Sequence, residues 1–224
     1  MSTTLESLRQ ILQSDDFGAR LHVLNESRSL EIAERFELLS IATADRNTRV
    51  RYDAVSQLAV VGQHDLDRSL QILRDRLIND PESDVRAAAA DSIGALKLTA
   101  AFEDLQTAYE QTDEWLMQFS IIAALGELGD RRGFELLTKA LNNSNDLVRI
   151  AAVGALGELG DPRTLELILP LVDDPDWQLR HRVAQALAGL GGPVAEAALA
   201  KLCQDPTEIV AEVARSLLTS IEQP

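Results

Sequence analysis

Side chains able to do chemistry are few in this chain, and they gather in two places. Trp177 opens a run that continues with Arg180, His181 and Arg182, the one locally basic and aromatic cluster of the sequence. An aromatic plane beside guanidinium and imidazole groups suits a flat ligand that carries an acidic group such as a propionate. The plainer reading of the same residues is an exposed helix face. The second place is Tyr109 followed by Glu114-Trp115-Leu116-Met117-Gln118-Phe119. Here aromatics and Gln118 stand where matching segments carry small residues and an arginine. Trp115 and Trp177 are the only tryptophans, and they share one repeat position two units apart. Two roles fit such a pair: edge packing against the preceding helix, or an aromatic contact for a flat ligand or partner surface.

Other reactive constellations are missing. No Ser-His-Asp set, phosphate-cradling glycine loop or metal-spaced His/Glu cluster occurs, and no carboxylate pair stands out for general acid–base work. His22 and His64 fall in different repeats with no evident partner. Cys203 is the only cysteine, which excludes an intrachain disulfide and a cysteine zinc cage. Its apolar neighbours predict a small buried helix residue. The expectation is no assignable catalytic residue, no metal and no tightly bound cofactor.

The elements that must position these side chains repeat. Asn145 to Pro162 begins with an N-cap residue, runs apolar at Ala152, Val153, Leu156 and Leu159, and stops on Gly160 with Pro162 beyond. That frame, a capping residue followed by an apolar residue and arginine, starts near 16, 47, 82, 114, 145, 176 and 207. The start-to-start spacings are 31, 35, 32, 31, 31 and 31. Glycines at 62, 129, 160 and 191 read as helix stops, and the four extra residues of the long spacing as a longer connection around Gln63–Asp67. A second amphipathic segment precedes each frame, for example Arg131 to Asn142 and Pro162 to Val172. Each unit is therefore helix A, tight turn, helix B. One such pair cannot bury its own apolar faces, so neighbours must stack.

The fold expected is an all-α right-handed solenoid of about seven helix pairs, with helices B on the inner face and residues 1–224 as one domain. Leu125, Leu156 and Leu187 are equivalent core positions. Arg20, Arg51, Arg86, Arg149 and Arg180 form a ladder. Such arginines suit a neighbouring carboxylate or loop carbonyl, fixing the rotation between repeats, with binding of a ligand anion as the other use. The end units depart from the pattern. Ser27 replaces a core leucine in the first, Ala211 replaces the arginine in the last, and the chain finishes on polar Glu222-Gln223.

Formal net charge is −15 and the sequence pI is near 4.6, which argues against a broad nucleic-acid face because phosphate neutralisation needs clustered Lys and Arg. A basic protein partner stays open. Met1-Ser2-Thr3-Thr4-Leu5-Glu6 lacks the pattern of a signal peptide, and no apolar run approaches the roughly 18 residues of a membrane span. The expectation is a cytoplasmic chain without membrane insertion.

The period and the Asp/Asn-x-x-Val-Arg openings resemble the short HEAT-like repeat. The segments Ser120–Asp130 and Val153–Pro162 resemble the phycobilisome-lyase HEAT-like family, whose E/F-type lyases attach or remove bilin chromophores on phycobiliproteins. Val85–Leu98 and Glu114-Trp115-Leu116 are most similar to cyanobacterial members acting in phycobilisome degradation. This resemblance implies phycobiliprotein subunits as partners (phycocyanin or allophycocyanin) and a phycocyanobilin-type bilin as ligand. It also implies action in antenna disassembly, with chromophore detachment as a further step. Under it, the inner surface of units four to six becomes the binding site, with Trp115, Gln118, Phe119, Trp177, Arg180, His181 and Arg182. Three functions stay open: a docking protein, a bilin-attaching or bilin-detaching enzyme, and a protein–protein scaffold unrelated to photosynthesis.

Overall fold

Seven short turns set the phase of the chain. In each, a small polar side chain accepts from the backbone N–H two residues on, just before a helix B begins. The acceptors are Ser14, Asp45, Asp80, Thr112, Asn143, Asp174 and Asp205. Such Asx- and Ser/Thr-turns offer the backbone a hydrogen bond outside the helix and so fix where it starts. The side chain two residues on then caps several of the helices: Asp16, Asn47, Asn145 and Asp176 each accept from first-turn N–H groups.

The computed structural model describes residues 4–222. Met1, Ser2, Thr3 and Gln223, which enter the sequence reading at the two ends, lie outside the described residues. Fourteen α-helices follow in order, and none of the described residues is in a strand. They pair as A and B: α1 (Leu5–Leu12) with α2 (Phe17–Glu26), α3 (Ile32–Ala42) with α4 (Thr48–Val61), α5 (Leu66–Asn79) with α6 (Ser83–Ala95), and α7 (Phe102–Glu110) with α8 (Trp115–Leu128). Then come α9 (Phe134–Ala140) with α10 (Asp146–Leu159), α11 (Thr164–Ile168) with α12 (Trp177–Leu190), and α13 (Pro193–Leu202) with α14 (Glu208–Glu222). This is an α solenoid of helix pairs.

The chain divides into two compact units, Met1–Ala124 and Leu125–Pro224. In the first, α4 packs on α2 and α6, and Val50, Ala54, Leu58, Ala89 and Ile93 are buried to the last few per cent. In the second, α10 packs on α12 and α12 on α14, around Val153, Val183 and Leu187. Leu125, Leu156 and Leu187 are all buried, as the shared frame requires. Close approach of B helices uses glycine. A Cβ on Gly94 would meet the Ala124 backbone at 2.7 Å, one on Gly126 the Ala155 backbone at 2.7 Å, and one on Gly157 the Ala186 Cβ at 2.8 Å.

Three sequence expectations change. Gly129, Gly160 and Gly191 stop their helices in the left-handed region, but Gly62 has φ −62. Gly62 is there for space: a Cβ would lie 2.6 Å from Leu96 Cδ1 and 2.8 Å from Ser69 Oγ. The left-handed stop of α6 is instead Lys97, at φ 52. The residues added in the long spacing do not lengthen a connection. They extend α5, whose 14 residues are capped by Asp65 and buried at Leu73 and Leu77, against 9 residues in α7. Cys203 is the C-cap of α13 and only partly buried, although it does pack against the core of its unit.

Candidate interaction surface

The arginine ladder is a packing device in three rungs. Arg20 gives Nε and Nη2 to the two oxygens of Asp45 at 2.7 and 3.0 Å. Arg51 binds Asp80 in the same way at 2.8 and 2.8 Å. Arg180 binds Asp205 at 2.7 and 2.8 Å. In each case Nη1 donates to the carbonyl six residues back, on Ser14, Asp45 or Asp174. Each rung thus ties a helix B to its own turn and to the turn of the next pair. Asp80 and Asp205 have almost no exposed side chain.

These bonds shape the ionisation of their partners. The hydrogen bond to Asp45 holds the Arg20 guanidinium charged against its burial, and Asp205 does the same for Arg180. Asp205 is held below the usual carboxylate range chiefly by its bond to Arg180. For Asp80, burial is the largest influence and pushes upward. The Arg51 bond, the Glu82 N–H and the nearby charges of Arg51 and Arg76 together outweigh it, so this carboxyl also lies low. Asp161 is drawn down to about 2 by Arg163, whose side chain and N–H both bond it.

The middle of the ladder differs. In the next turn after Arg86 the aspartate's place is taken by Thr112, which accepts from the Glu114 N–H, and Arg86 donates to the Leu77 carbonyl. Gln118 stands at an arginine position and reproduces one arginine bond, from Nε2 to the carbonyl of Thr112 six residues back, at 2.9 Å. Arg149 has an aspartate in register, Asp174, yet pairs with Asp146 within its own helix at 3.0 Å.

The residues expected to bind therefore separate by role. Arg180 is buried and saturated by Asp205, Asp174, Pro175 and Thr207. Gln118 is tied to its turn, and Phe119 is partly buried beside it. Arg182 lies along Gly154, donates to Gln185 Oε1, and faces Glu158 at 3.4 Å. The Arg180-His181-Arg182 run is thus not a free basic patch, because both guanidiniums already face carboxylates. His181 is partly buried. Among the other histidines, His64 lies 5.6 Å from the Phe36 ring and His22 contacts Glu26, so both have partners that sequence spacing concealed.

What stays open to solvent is apolar. Trp115 and Trp177 are each the first residue of their helix B, at 46% and 40% exposure. Within the second unit, Leu147 and Ile209 are exposed one position further into α10 and α14, and Trp177 is outside the hydrophobic core. The unit thus carries bulky apolar side chains at the starts of three successive B helices. Between the turns of the fifth and sixth pairs, at the starts of α10 and α12, is a cleft of about 720 Å³. It is lined by Arg149, Asp146, Asp174, Asp176 and two asparagines, with Leu141, Val153, Leu171 and Leu179 beneath. The first unit presents Phe17, Trp115 and Leu116 at matching places. Sequence reading found the tryptophans through their shared register. It missed Leu147 and Ile209, since an apolar residue in a helix's first turn looks like core.

Among the described residues no cluster of three or more His, Cys, Asp or Glu could hold a metal, and no helix is long and apolar enough to cross a membrane. Such a surface can bind a partner.

Comparison with solved structures finds the same architecture in distant proteins. The complex of CpcE and CpcF of phycocyanin lyase from Nostoc sp. PCC7120 matches at TM-score 0.62 and 22% identity, over 99% of this chain and 96% of that one. YibA of Escherichia coli matches at 0.66 and 16%, over 98% and 81%. The archaeal HEAT-like repeats protein from Thermococcus onnurineus NA1 matches at 0.59 and 13%, over 99% and 98%. At these identities the likeness is one of fold. No curated protein sequence matches. The model for HEAT repeats matches residues 36–126, 70–153 and 134–219, which together span most of the chain. The chain belongs to the HEAT-repeat family.

Proposed function

We propose that this protein docks phycobiliprotein subunits and assists disassembly of the light-harvesting antenna, in the manner of the phycobilisome degradation protein NblB. The observation that carries the docking half is the set of half-exposed apolar side chains at the starts of B helices, Trp177 with Leu147 and Ile209 in one unit and Trp115 in the other. Aromatic anchors of this kind supply much of the binding energy at protein interfaces. The antenna half rests on the resemblance of Val85–Leu98 and Glu114–Leu116, and is supported by the likeness to the phycocyanin lyase pair.

Chromophore detachment is the second reading, favoured by that lyase likeness. It needs cations for the two carboxylates of a bilin, yet Arg180 is consumed by Asp205 and Arg182 faces Glu158. His181 beside Trp177 is the remaining candidate. Holding reactants in place can itself promote a reaction, so this surface could act on a bound chromophore without acid–base residues of its own.

Mixing the protein with holo-phycocyanin and following co-elution and visible absorbance separates the readings. Co-elution with unchanged absorbance supports docking; bleaching or transfer supports chromophore chemistry. Failure to co-elute with either phycocyanin or allophycocyanin removes the antenna reading. Trp177→Ala and Trp115→Ala should each weaken binding by about 1 to 3 kcal/mol, as aromatic anchors do. A bilin contact predicts weaker binding to the holo form only.

A further inference from the structure

We infer that the cleft beside Asp174 receives the guanidinium of an arginine side chain carried by a partner protein. Three sites in this chain show what such a place looks like when filled. At Asp45, Asp80 and Asp205, one carboxylate oxygen holds the turn by accepting the N–H two residues on. The carboxylate then takes a guanidinium through both oxygens, at 2.7 to 3.0 Å.

Asp174 has the first half of this arrangement. Its Oδ1 accepts from the Asp176 N–H at 2.9 Å, as in the filled sites. Among the described residues, Oδ2 forms no hydrogen bond or ion pair. The arginine in register, Arg149, lies in the wall of the same cleft but is turned to Asp146 at 3.0 Å. Asn143, which carries the carbonyl six residues before Arg149, lines the cleft as well. The space left is about 720 Å³, and three aspartates face it against one arginine.

Charge and shape both select the occupant. The lining is net negative, so it draws a cation. A carboxylate presented edge-on beside a turn carbonyl matches the planar fork of a guanidinium better than the point charge of an ammonium. Leu147 and Trp177, each next in sequence to a lining aspartate (Asp146 and Asp176), are exposed apolar side chains at the starts of the two helices that bound the cleft. This inference does not rest on the phycobiliprotein reading, since it names the chemistry of the anchor and not the protein that carries it.

The test uses the full chain with a blocked peptide Gly-Gly-Arg-Gly-Gly and its lysine counterpart, at low salt, followed by two-dimensional NMR. Saturable shifts of the amides at 174–176 are expected with the arginine peptide, at least tenfold weaker with the lysine peptide and in Asp174→Asn. In Arg149→Ala binding should be unchanged or tighter. Equal binding of the two peptides, or binding indifferent to Asp174→Asn, would reduce the effect to general attraction and overturn the inference. So would saturable binding that appears only in Arg149→Ala, because Arg149 would then close its own rung. No saturable binding in any form overturns it outright.

Discussion

Arg180 and Arg149 occupy one position of one repeat, in the same compact unit, and they behave oppositely. Arg180 is buried, reaches the next turn, and holds Asp205 with both arms of its fork. Arg149 is partly exposed and reaches only Asp146, three residues back, while Asp174 waits in register. The two pairs share an N-cap, a turn bond and a core leucine, so the helical frame alone does not close a rung. Closing one takes a carboxylate within reach and an arginine with no nearer acid. Trp177 stands where Asp146 would be on α12, so Arg180 has no such competitor at that place. An acid and a base three residues apart on a helix are surface neighbours, so Asp146 competes for Arg149 without any reach to the next turn.

The contrast breaks most visibly on removing a charge. Asp205→Asn keeps the turn acceptor but leaves Arg180 buried without a counter-ion, and should cost about 3 to 5 kcal/mol in urea unfolding. Asp174→Asn should cost about 0.5 kcal/mol or less, the usual size at a position making no pair. Similar costs would mean that both rungs are closed in solution. The closed rung also carries an acid signature. The folded Asp205 carboxyl titrates below its unfolded value of about 3.9, so as pH falls the unfolded chain takes up the proton first. Its stabilisation is complete above the unfolded value and is lost as pH drops through the folded one. Asp205→Asn should therefore be less sensitive than wild type to acidification below about pH 4, measured by chemical denaturation at a series of pH values.

Much of this was legible in the sequence, and what was not had a physical reason. Helix B was readable because N-cap, apolar stripe and stop recur in phase, and the buried Leu125, Leu156 and Leu187 follow from that phase alone. The partner of each arginine was not readable. It lies 25 or 29 residues away, in a turn whose position accepts Ser, Thr, Asn or Asp alike because all four make the same turn bond. Gln118 looked like a departure toward ligand binding, whereas it keeps the turn carbonyl bond and gives up only the charge. The exposed tryptophans were legible as a register, but the side chains that leave them in solvent were not.

Packing gives the next largest effect and sharpens what the rungs contribute. Leu156 on α10 and Leu187 on α12 are equally buried, one beside the open rung and one beside the closed rung. Leu156→Ala and Leu187→Ala should each cost about 2 to 5 kcal/mol. If rung and core act independently, combining Leu187→Ala with Asp205→Asn should add within about 0.5 kcal/mol. A larger deviation would show that the rung helps set the packing.

A smaller effect should come from the third pair, where Thr112 takes the place of the aspartate in register with Arg86. Lys97 ends α6 in the left-handed region, where the equivalent stops are Gly129, Gly160 and Gly191. A side chain there strains the backbone by about 1 kcal/mol, so Lys97→Gly should raise stability by roughly that amount, less any loss from the added freedom of the unfolded chain. A loss of stability would mean that the lysine side chain makes a compensating contact.

The smallest expected effect is the most direct test of the open rung. The Arg149–Asp146 pair joins partly exposed side chains within one helix, and such pairs contribute about 0.3 to 0.5 kcal/mol. Arg149→Ala should therefore lower stability by no more than about that amount, and the difference should fade in high salt as screening weakens exposed pairs. Arg180→Ala removes a guanidinium that satisfies a buried aspartate and two turn carbonyls, so its cost should be several times larger and persist in salt. Urea unfolding of both variants at low and high salt measures the ratio. A salt-resistant loss in Arg149→Ala approaching that of Arg180→Ala would mean that Arg149 spends its time on Asp174, and the two rungs would cease to differ.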